Sequence, residues 1–334
     1  MCAPAAAMAS TTADLDQSFL DAAASGKTIS ADVTYKKMVK KKRVRKREYR
    51  SLSKQKMYGY DTFQGAASDG TYSYHVLYNR KKEKCKIIKV RVSSGRVCKV
   101  SKALKIGHGN DATYDYARKE VVTTYKRGQT RYLAIIDPVT LKLKRYQKIH
   151  IPKKIPGMTA ADTRAIKGVA AIAYDRETGN FIGRIKKRRS FIVMDKDYNA
   201  IGFIPAKSYK KYMCQTIECV GGVILHAQSP QLKGQKYNII SVYDFKGNYL
   251  ATIRTTRGGK EIESIYRAGS KIYAGEYFSY NKVKTKTVTK KVKARNKYGK
   301  VIYKKNGKVK YKKKKVKVKY TKLYRDNYIM KIGI

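Results

Sequence analysis

Apolar residues in this chain come in short alternating or continuous runs that break off at turn-forming residues; helical spacing is not sustained over any long stretch. Ile87-Ile-Lys-Val-Arg-Val before Ser93-Ser-Gly, Leu133-Ala-Ile-Ile before Asp137-Pro-Val-Thr, Phe191-Ile-Val-Met before Asp195-Lys-Asp-Tyr-Asn and Ile239-Ile-Ser-Val-Tyr before Asp244-Phe-Lys-Gly-Asn share one design. Each is a β-branched apolar segment closed by turn chemistry, which predicts a strand running into a hairpin. Taking Val92, Asp137, Asp195 and Asp244 as equivalent gives spacings of 45, 58 and 49 residues, the length of a propeller blade. The last run, Tyr328-Ile-Met-Lys-Ile-Gly-Ile, supplies a fifth copy once the lysine-rich block before it is set aside.

A second frame supports the first. Asn110-Asp-Ala-Thr-Tyr-Asp aligns with the segment from Ala170, placing Tyr114 over Tyr174 and Asp115 over Asp175. Gln64-Gly-Ala-Ala-Ser-Asp-Gly fits upstream, and Gln215-Thr-Ile-Glu-Cys and Glu261-Ile-Glu-Ser-Ile open similar segments downstream. With about four strands per unit, the fold expected is all-β: a five-bladed β-propeller over residues 63–334. The alternating Thr71–Tyr78 run is a strand of the first unit, and Pro152-Lys-Lys-Ile-Pro is a loop lengthening the third, since two close prolines oppose a strand there. Residues 35–62 form a basic arm, from which Val44 to Tyr60 are expected to close the final blade.

The block before the last run departs from this pattern. From Tyr277 to Arg325 there is no Asp or Glu, and Lys alternates with Val and Tyr on both sides of Asn306-Gly307. Period-two alternation around Asn-Gly predicts a type I′ hairpin, so residues 281–322 read as a lysine-rich β-ribbon inserted in the last blade. Lysines on exposed strands discourage edge-to-edge aggregation, but that does not require removing every carboxylate.

Charge enlarges this picture. The 77 Lys and Arg against 23 acids leave a net charge of +54, far beyond what solubility needs, and self-repulsion on this scale opposes compaction. A polyanionic partner is therefore expected. The segments to hold it are the arm, with Lys41, Lys42, Arg43 and Arg45, and the ribbon, with Lys308, Lys310, Lys313, Lys315, Lys317 and Lys319. Lysine point charges suit a flexible anionic polymer, whereas bidentate base or phosphate recognition calls for more arginine.

Residues 1–9 read as the remnant of a signal peptide ending in Ala7-Met8-Ala9, with an alanine-rich flexible terminus as the alternative; residues 10–34 read as a flexible lead-in. The export reading favours a secreted or cell-surface protein meeting teichoic acid or anionic glycans. No stretch is apolar for long enough to span a bilayer. Cys85, Cys98, Cys214 and Cys219 show no zinc-type pairing, and antiparallel register about Ser94-Gly95 places Cys98 near Val90 and not opposite Cys85, so small buried thiols are expected.

Equivalent positions of a propeller converge at its channel. Gln64, His108, Asn110, Asp111, Gln215, Glu218, Glu261 and Glu263 are accordingly expected at the channel mouth, as a pocket for a sugar, an amine or a divalent cation held by oxygens. The competing reading is that these groups hydrogen-bond turn backbones around a water-filled channel. Glu261 and Glu263 share one face of a strand and His108 can act as an acid or base. No nucleophile elbow, P-loop or histidine metal signature occurs, so no catalytic residue, metal or cofactor is assigned.

Gln64-Gly65 before an Asp-Gly turn, Gly107-His-Gly-Asn-Asp before Thr-Tyr-Asp, and Glu261-Ile-Glu-Ser-Ile before Gly269-Ser-Lys-Ile-Tyr resemble secreted bacterial β-propellers of the strictosidine-synthase-like and teichoic-acid-associated kind. Thr62-Phe-Gln-Gly also resembles glutaminyl-peptide cyclotransferases, but the tryptophan motifs of that family are missing because the chain has no Trp. The expectation is thus an exported, non-enzymatic, monomeric propeller that binds an anionic envelope polymer and offers a polar pocket. A propeller enzyme of cyclotransferase, hydrolase or lyase type, using the mouth carboxylates and His108, is the first alternative; a nucleic-acid-binding protein is the second.

Overall fold

The structure, a computed structural model, describes residues 28–30, 60, 62–126, 130–185, 190–206, 211–232, 235, 237–254, 261–269 and 271–332. Strand β1 (Thr28–Ser30) is followed by β2 (Thr62–Ser68), β3 (Tyr72–Asn79), β4 (Lys84–Arg91) and β5 (Val97–Val100), the last four forming one antiparallel sheet. A second sheet holds β6 (Ala112–Asp115), β7 (Glu120–Thr124), β8 (Tyr132–Ile136) and β9 (Leu143–Lys148). Helix α1 (Ala160–Arg164) follows, started by Thr159, whose hydroxyl accepts from Asp162 N–H at 3.1 Å. The third sheet holds β10 (Val169–Tyr174), β11 (Phe181–Ile185), β12 (Phe191–Met194) and β13 (Ala200–Ile204). The fourth holds β14 (Met213–Val220), β15 (Val223–Ser229), β16 (Ile239–Asp244) and β17 (Tyr249–Arg254), with β1 added in parallel to the edge of β17. The fifth holds β18 (Glu261–Ala268), β19 (Lys271–Lys293) and β20 (Tyr311–Ile332).

The first strands of the sheets touch in a cycle: β2 against β6, β6 against β10, β10 against β14, β14 against β18, and β18 back against β2. Apolar layers between successive sheets explain why. Ile87, Tyr114 and Val121 pack between the first two, Val122, Ile135, Ile172 and Phe181 between the second and third, and Ala171, Phe191, Ile217 and Tyr243 between the third and fourth. Leu225, Val242, Ile262 and Ile272 join the fourth to the fifth, and Ala66, Tyr266 and Tyr273 join the fifth to the first. Strands buried on both faces lose their alternation, so every residue of β6, β7, β10 and β11 is buried, whereas outer strand β9 alternates half-buried with exposed positions. This is a propeller arrangement.

The equality of five blades needs correction. Four sheets carry the complete set of four antiparallel strands, and the fifth has three among the described residues. The expected closing strand from Val44 lies outside the described residues except for Tyr60, which packs with Phe63, Leu77 and Ile88. In the expected lead-in, Thr28–Ser30 pairs instead with Thr252–Arg254 of the fourth sheet.

Each run that defined the repeat, β4, β8, β12 and β16, is the third strand of its sheet, and the aspartates after three of them cap the turn. Asp137 accepts from Thr140 N–H at 2.5 Å, Asp195 from Asn199 N–H at 2.9 Å, and Asp244 from Asn248 N–H at 2.8 Å. Asp69, Asp115 and Asp175 do the same for the first hairpins, accepting from Tyr72 N–H at 2.6 Å, Arg118 N–H at 2.9 Å and Glu177 N–H at 3.3 Å. An aspartate holding its own turn backbone is the physical content of the repeat.

Ser279–Arg325 forms a separate compact unit. Within it, two turns follow in tandem: Asn296 to Lys300, with Gly299 N–H on the Asn296 carbonyl at 3.0 Å, and Lys304 to Lys308, with Gly307 N–H on the Lys304 carbonyl at 3.0 Å. Gly307 has φ 73°, the left-handed conformation that glycine adopts without a Cβ clash. Ala294, Ile302 and Lys310, eight residues apart, close a cyclic triplet of backbone hydrogen bonds, each 2.8 Å long. Val288, Val292, Val316 and Val318 are half-buried and the lysines between them exposed. No helix among the described residues is long and apolar enough to cross a membrane.

Candidate functional site

β-Bulges place the polar side chains of the ring. The pairing register slips between Phe63 and Ala66, between Val169 and Ala171, between Cys214 and Ile217, and between Ile262 and Ser264. The skipped residues are Gln64 and Gly65, Ala170, Gln215 and Thr216, and Glu263. A bulge bends its strand and re-aims a side chain, and here it recurs near the start of four first strands.

Asp111, just before β6, lies at the meeting point. Its Oδ2 accepts from Ile172 N–H at 3.0 Å and Ile217 N–H at 3.1 Å; its Oδ1 accepts from Ala112 N–H at 2.9 Å and from the Thr216 hydroxyl at 2.5 Å. One fully buried carboxyl therefore ties the first strands of the second, third and fourth sheets together. Burial pushes its pKa up to about 8, with the four hydrogen bonds acting in the opposite direction. The first sheet comes close as well: a Cβ on Gly65 would sit 2.3 Å from the Asp111 Cα. With both carboxyl oxygens engaged by these four partners, Asp111 fastens the ring.

The other expected mouth residues divide. Gln64 is buried and donates to the Phe63 carbonyl at 2.5 Å. Gln215 sits half-buried beside Thr216 in the β14 bulge, and Asn110 is half-buried beside Asp111. Glu263 is buried and shares a hydrogen bond with Glu261; burial first, then that bond and the Glu261 charge, raise its pKa well above the ordinary value. These two carboxyls are thus brought together. His108 is set elsewhere, with its ring 4.3 Å from that of Tyr78 in the first sheet.

Glu218 belongs to a network at the other ends of the first strands. Tyr116, just after β6, donates its hydroxyl to the Ser68 carbonyl at the end of β2 at 2.6 Å. Arg176, just after β10, donates to the Tyr116 hydroxyl, lies 3.9 Å over the Tyr116 ring and reaches the Arg267 carbonyl in β18 at 3.4 Å. Glu218 Oε2 accepts from Arg267 N–H at 3.1 Å, and its Oε1 accepts from Cys219 N–H at 2.9 Å. Burial raises the Glu218 pKa to about 7, against the lowering charge of Arg176. All five sheets therefore meet in one polar cluster, with two guanidinium groups beside a carboxyl that titrates near neutrality.

Tyr116, Arg176 and Arg267 were not legible as site residues. They sit at hairpin ends, where a basic or aromatic residue reads as an ordinary turn; the available signal is that each lies within two residues of the end of an aligned first strand. Among the described residues no three His, Cys, Asp or Glu side chains are grouped to hold a metal ion. Cys85, Cys98, Cys214 and Cys219 are free thiols, but the expected burial holds only for Cys85 and Cys219; Cys214 is half-buried and Cys98, on outer strand β5, is exposed.

The basic surfaces are placed unequally. Lys308, Lys310, Lys313, Lys315, Lys317 and Lys319 are all exposed on the ribbon unit. Lys41, Lys42, Arg43 and Arg45 lie outside the described residues.

No family model matches the chain, and no curated protein does. Among solved structures it is similar to the hydrazine synthase of Kuenenia stuttgartiensis (11% identity, TM-score 0.35), covering 65% of this chain and 64% of that one, so it spans less than two thirds of that relative. It is also similar to the WD40 repeats of RRP9 (12% identity, TM-score 0.37), covering 64% and 73% of the two chains. Regucalcin from Agrobacterium tumefaciens, described as a calcium-binding protein, matches at 14% identity and TM-score 0.38, over 65% and 82%. At these scores the likenesses carry nothing about function, and the propeller arrangement stands on the ring of first strands itself.

Proposed function

We propose that this chain is an exported, non-enzymatic propeller of five blades, the fifth sheet counting as a blade, that holds an anionic polymer of the cell envelope on its lysine-rich ribbon. Kinship with the secreted strictosidine-synthase-like and teichoic-acid-associated propellers is part of the proposal. The observation that carries it is the unit Ser279–Arg325, compact in itself, in which every charged side chain is Lys or Arg and the described lysines are exposed or nearly so. Repulsion among these cations has no internal relief, and a polyanion provides it while releasing its own counterions. Val288, Val292, Val316 and Val318 are half-buried while the lysines between them are exposed, so the lysines project from the two strands. The exposed Tyr298, Tyr303 and Tyr311 add flat faces against which sugar rings can lie.

The test is retention on purified Gram-positive cell walls, on walls stripped of teichoic acid, and on double-stranded DNA. Neutralising Lys308, Lys310, Lys313, Lys315, Lys317 and Lys319 to Ser is expected to abolish salt-sensitive retention on intact walls. Retention that survives this change refutes the ribbon as the binding element. Equal retention on stripped walls refutes teichoic acid, and preference for DNA over walls at matched salt replaces the envelope with nucleic acid.

A further inference from the structure

Between the first and second sheets lies a cavity of about 620 Å³ that the polymer-binding reading does not use. Its walls come from the end of β3 with Tyr78, the β3–β4 turn with Arg80, Lys82, Glu83 and Lys84, the segment before β6 with Lys105, Gly107 and His108, and Tyr125 and Lys126 after β7. Its volume is in the range of small-molecule sites.

Two properties mark it as more than a surface dip. The first is charge: five cations face one carboxylate, and among the described residues none of Arg80, Lys82, Lys84, Lys105 and Lys126 is in an ion pair. Like charges gathered around a concavity focus potential and raise the local concentration of anions. The second is a wall fixed by other parts of the fold. The Cys85 thiol donates to the Gly107 carbonyl at 2.9 Å, the Tyr146 hydroxyl to the Lys105 carbonyl at 2.8 Å, and Lys82 N–H to Asn79 Oδ1 at 3.0 Å. The rings of Tyr78 and His108 lie against one another, and Tyr125 packs on Tyr146 at 4.8 Å. The cavity thus has aromatic rings beside a cationic rim, and its backbone walls are held in place before any ligand arrives.

We infer that this cavity binds a small phosphomonoester carrying a ring, such as a sugar phosphate, its phosphate among Lys84, Lys105 and Lys126 and its ring against Tyr78 and His108. A phosphomonoester brings close to two negative charges at neutral pH, of opposite sign to the local excess, and a sugar ring offers a face for aromatic contact. The site lies on the propeller unit and does not depend on the ribbon reading.

The test is calorimetric titration of the full chain with glucose 6-phosphate, glucose and inorganic phosphate at about 0.15 M salt, where diffuse surface attraction is screened. Saturable one-to-one binding of glucose 6-phosphate is expected, weakened about ten-fold or more, roughly 1.4 kcal/mol, by Lys105→Glu with Lys126→Glu. Lys142→Glu with Lys148→Glu is the control of equal charge change and is expected to leave it unchanged. Tyr78→Ala leaves phosphate binding in place and removes the advantage of the sugar phosphate over inorganic phosphate. Three results overturn the inference: no saturable binding, an equal loss in the control pair, or glucose bound as tightly as its phosphate. Inorganic phosphate bound as tightly as glucose 6-phosphate by the unaltered chain overturns the role of the ring. Because the ribbon is unaltered throughout, failure here is separate from failure on cell walls.

Discussion

Replacing Asp111 by Ala tests whether one carboxyl fastens the ring. The substitution removes the acceptors of Ala112 N–H, Ile172 N–H and Ile217 N–H, which lie 2.9, 3.0 and 3.1 Å away, and that of the Thr216 hydroxyl. A buried donor left without a partner costs about 1–3 kcal/mol. Three backbone donors thus set roughly 3–9 kcal/mol, reduced where a water enters the vacated space. That is a large share of the about 5–15 kcal/mol that holds a domain folded. Urea unfolding followed by tyrosine fluorescence suits a chain with 29 Tyr and no Trp. Asp111→Asn separates the proton from the scaffold. The ordinary carboxyl pKa of 3.8 rises to about 8 in the fold, so the folded state keeps a proton that the unfolded chain gives up above pH 3.8. Stability from this group is therefore full below the unfolded value and declines as pH rises toward 8, with a slope of at most about 1.4 kcal/mol per pH unit. Glu218, raised to about 7, acts in the same sense, so the Asn variant is expected to flatten the decline between pH 5 and 8 without abolishing it. A loss below about 1 kcal/mol in Asp111→Ala, against the unsatisfied-donor cost, or a pH profile unchanged in Asp111→Asn, refutes the role assigned to this residue.

Two further substitutions test the same architecture. Gly65→Ala places a Cβ 2.3 Å from the Asp111 Cα, a backbone atom that cannot swing aside, so a loss of about 1–3 kcal/mol is expected in the urea midpoint; an unchanged midpoint refutes the close approach of the first two sheets. Asp244→Ala removes the acceptors of Lys246 N–H at 2.9 Å, Asn248 N–H at 2.8 Å and Asn248 Nδ2 at 2.7 Å, with an expected cost of about 1 kcal/mol, as for loss of a side-chain cap. Burial acts upward on the Asp244 pKa, but those hydrogen bonds hold it below 3.8, so its contribution is present above the ordinary value and is lost as pH falls through the depressed one. Acid titration of Asp244→Ala against the unaltered chain measures that difference, which vanishes if the cap does not form.

What could be read in advance depended on how locally each feature is determined. β4, β8, β12 and β16 were legible because a strand buried on both faces must be apolar and must end in a turn, and both requirements fall within ten residues. The caps at Asp137, Asp195 and Asp244 were legible for the same reason. Asp111 was named, but not its task, since nothing within its own segment distinguishes an aspartate bonded to its own turn from one bonded across three sheets. That difference arises from the bulges at Ala170 and at Gln215–Thr216, which shift register by single residues that no periodicity marks. His108 illustrates the same limit. It is two residues from Asn110 along the chain, yet it faces Tyr78 of the first sheet, away from the carboxyls with which it had been grouped.

The distribution of acids makes the basic surface informative. In a chain with 23 acids, Asp69, Asp115, Asp137, Asp175, Asp195 and Asp244 are committed to turns. Asp111 and Glu218 tie first strands together, and Glu263 is paired with Glu261. Glu120, which meets Lys144 and Arg145 at 2.5 and 2.8 Å, is itself buried, whereas Asp197 meets Arg118 and Lys196 at the surface. Carboxylates are thus spent on architecture, and few are left to neutralise the exterior. Solubility alone would be served equally well by mixed charges. A surface left largely cationic, with a ribbon lacking acids altogether, stores repulsion that bound anions relieve, and the proposed polyanion binding rests on that argument.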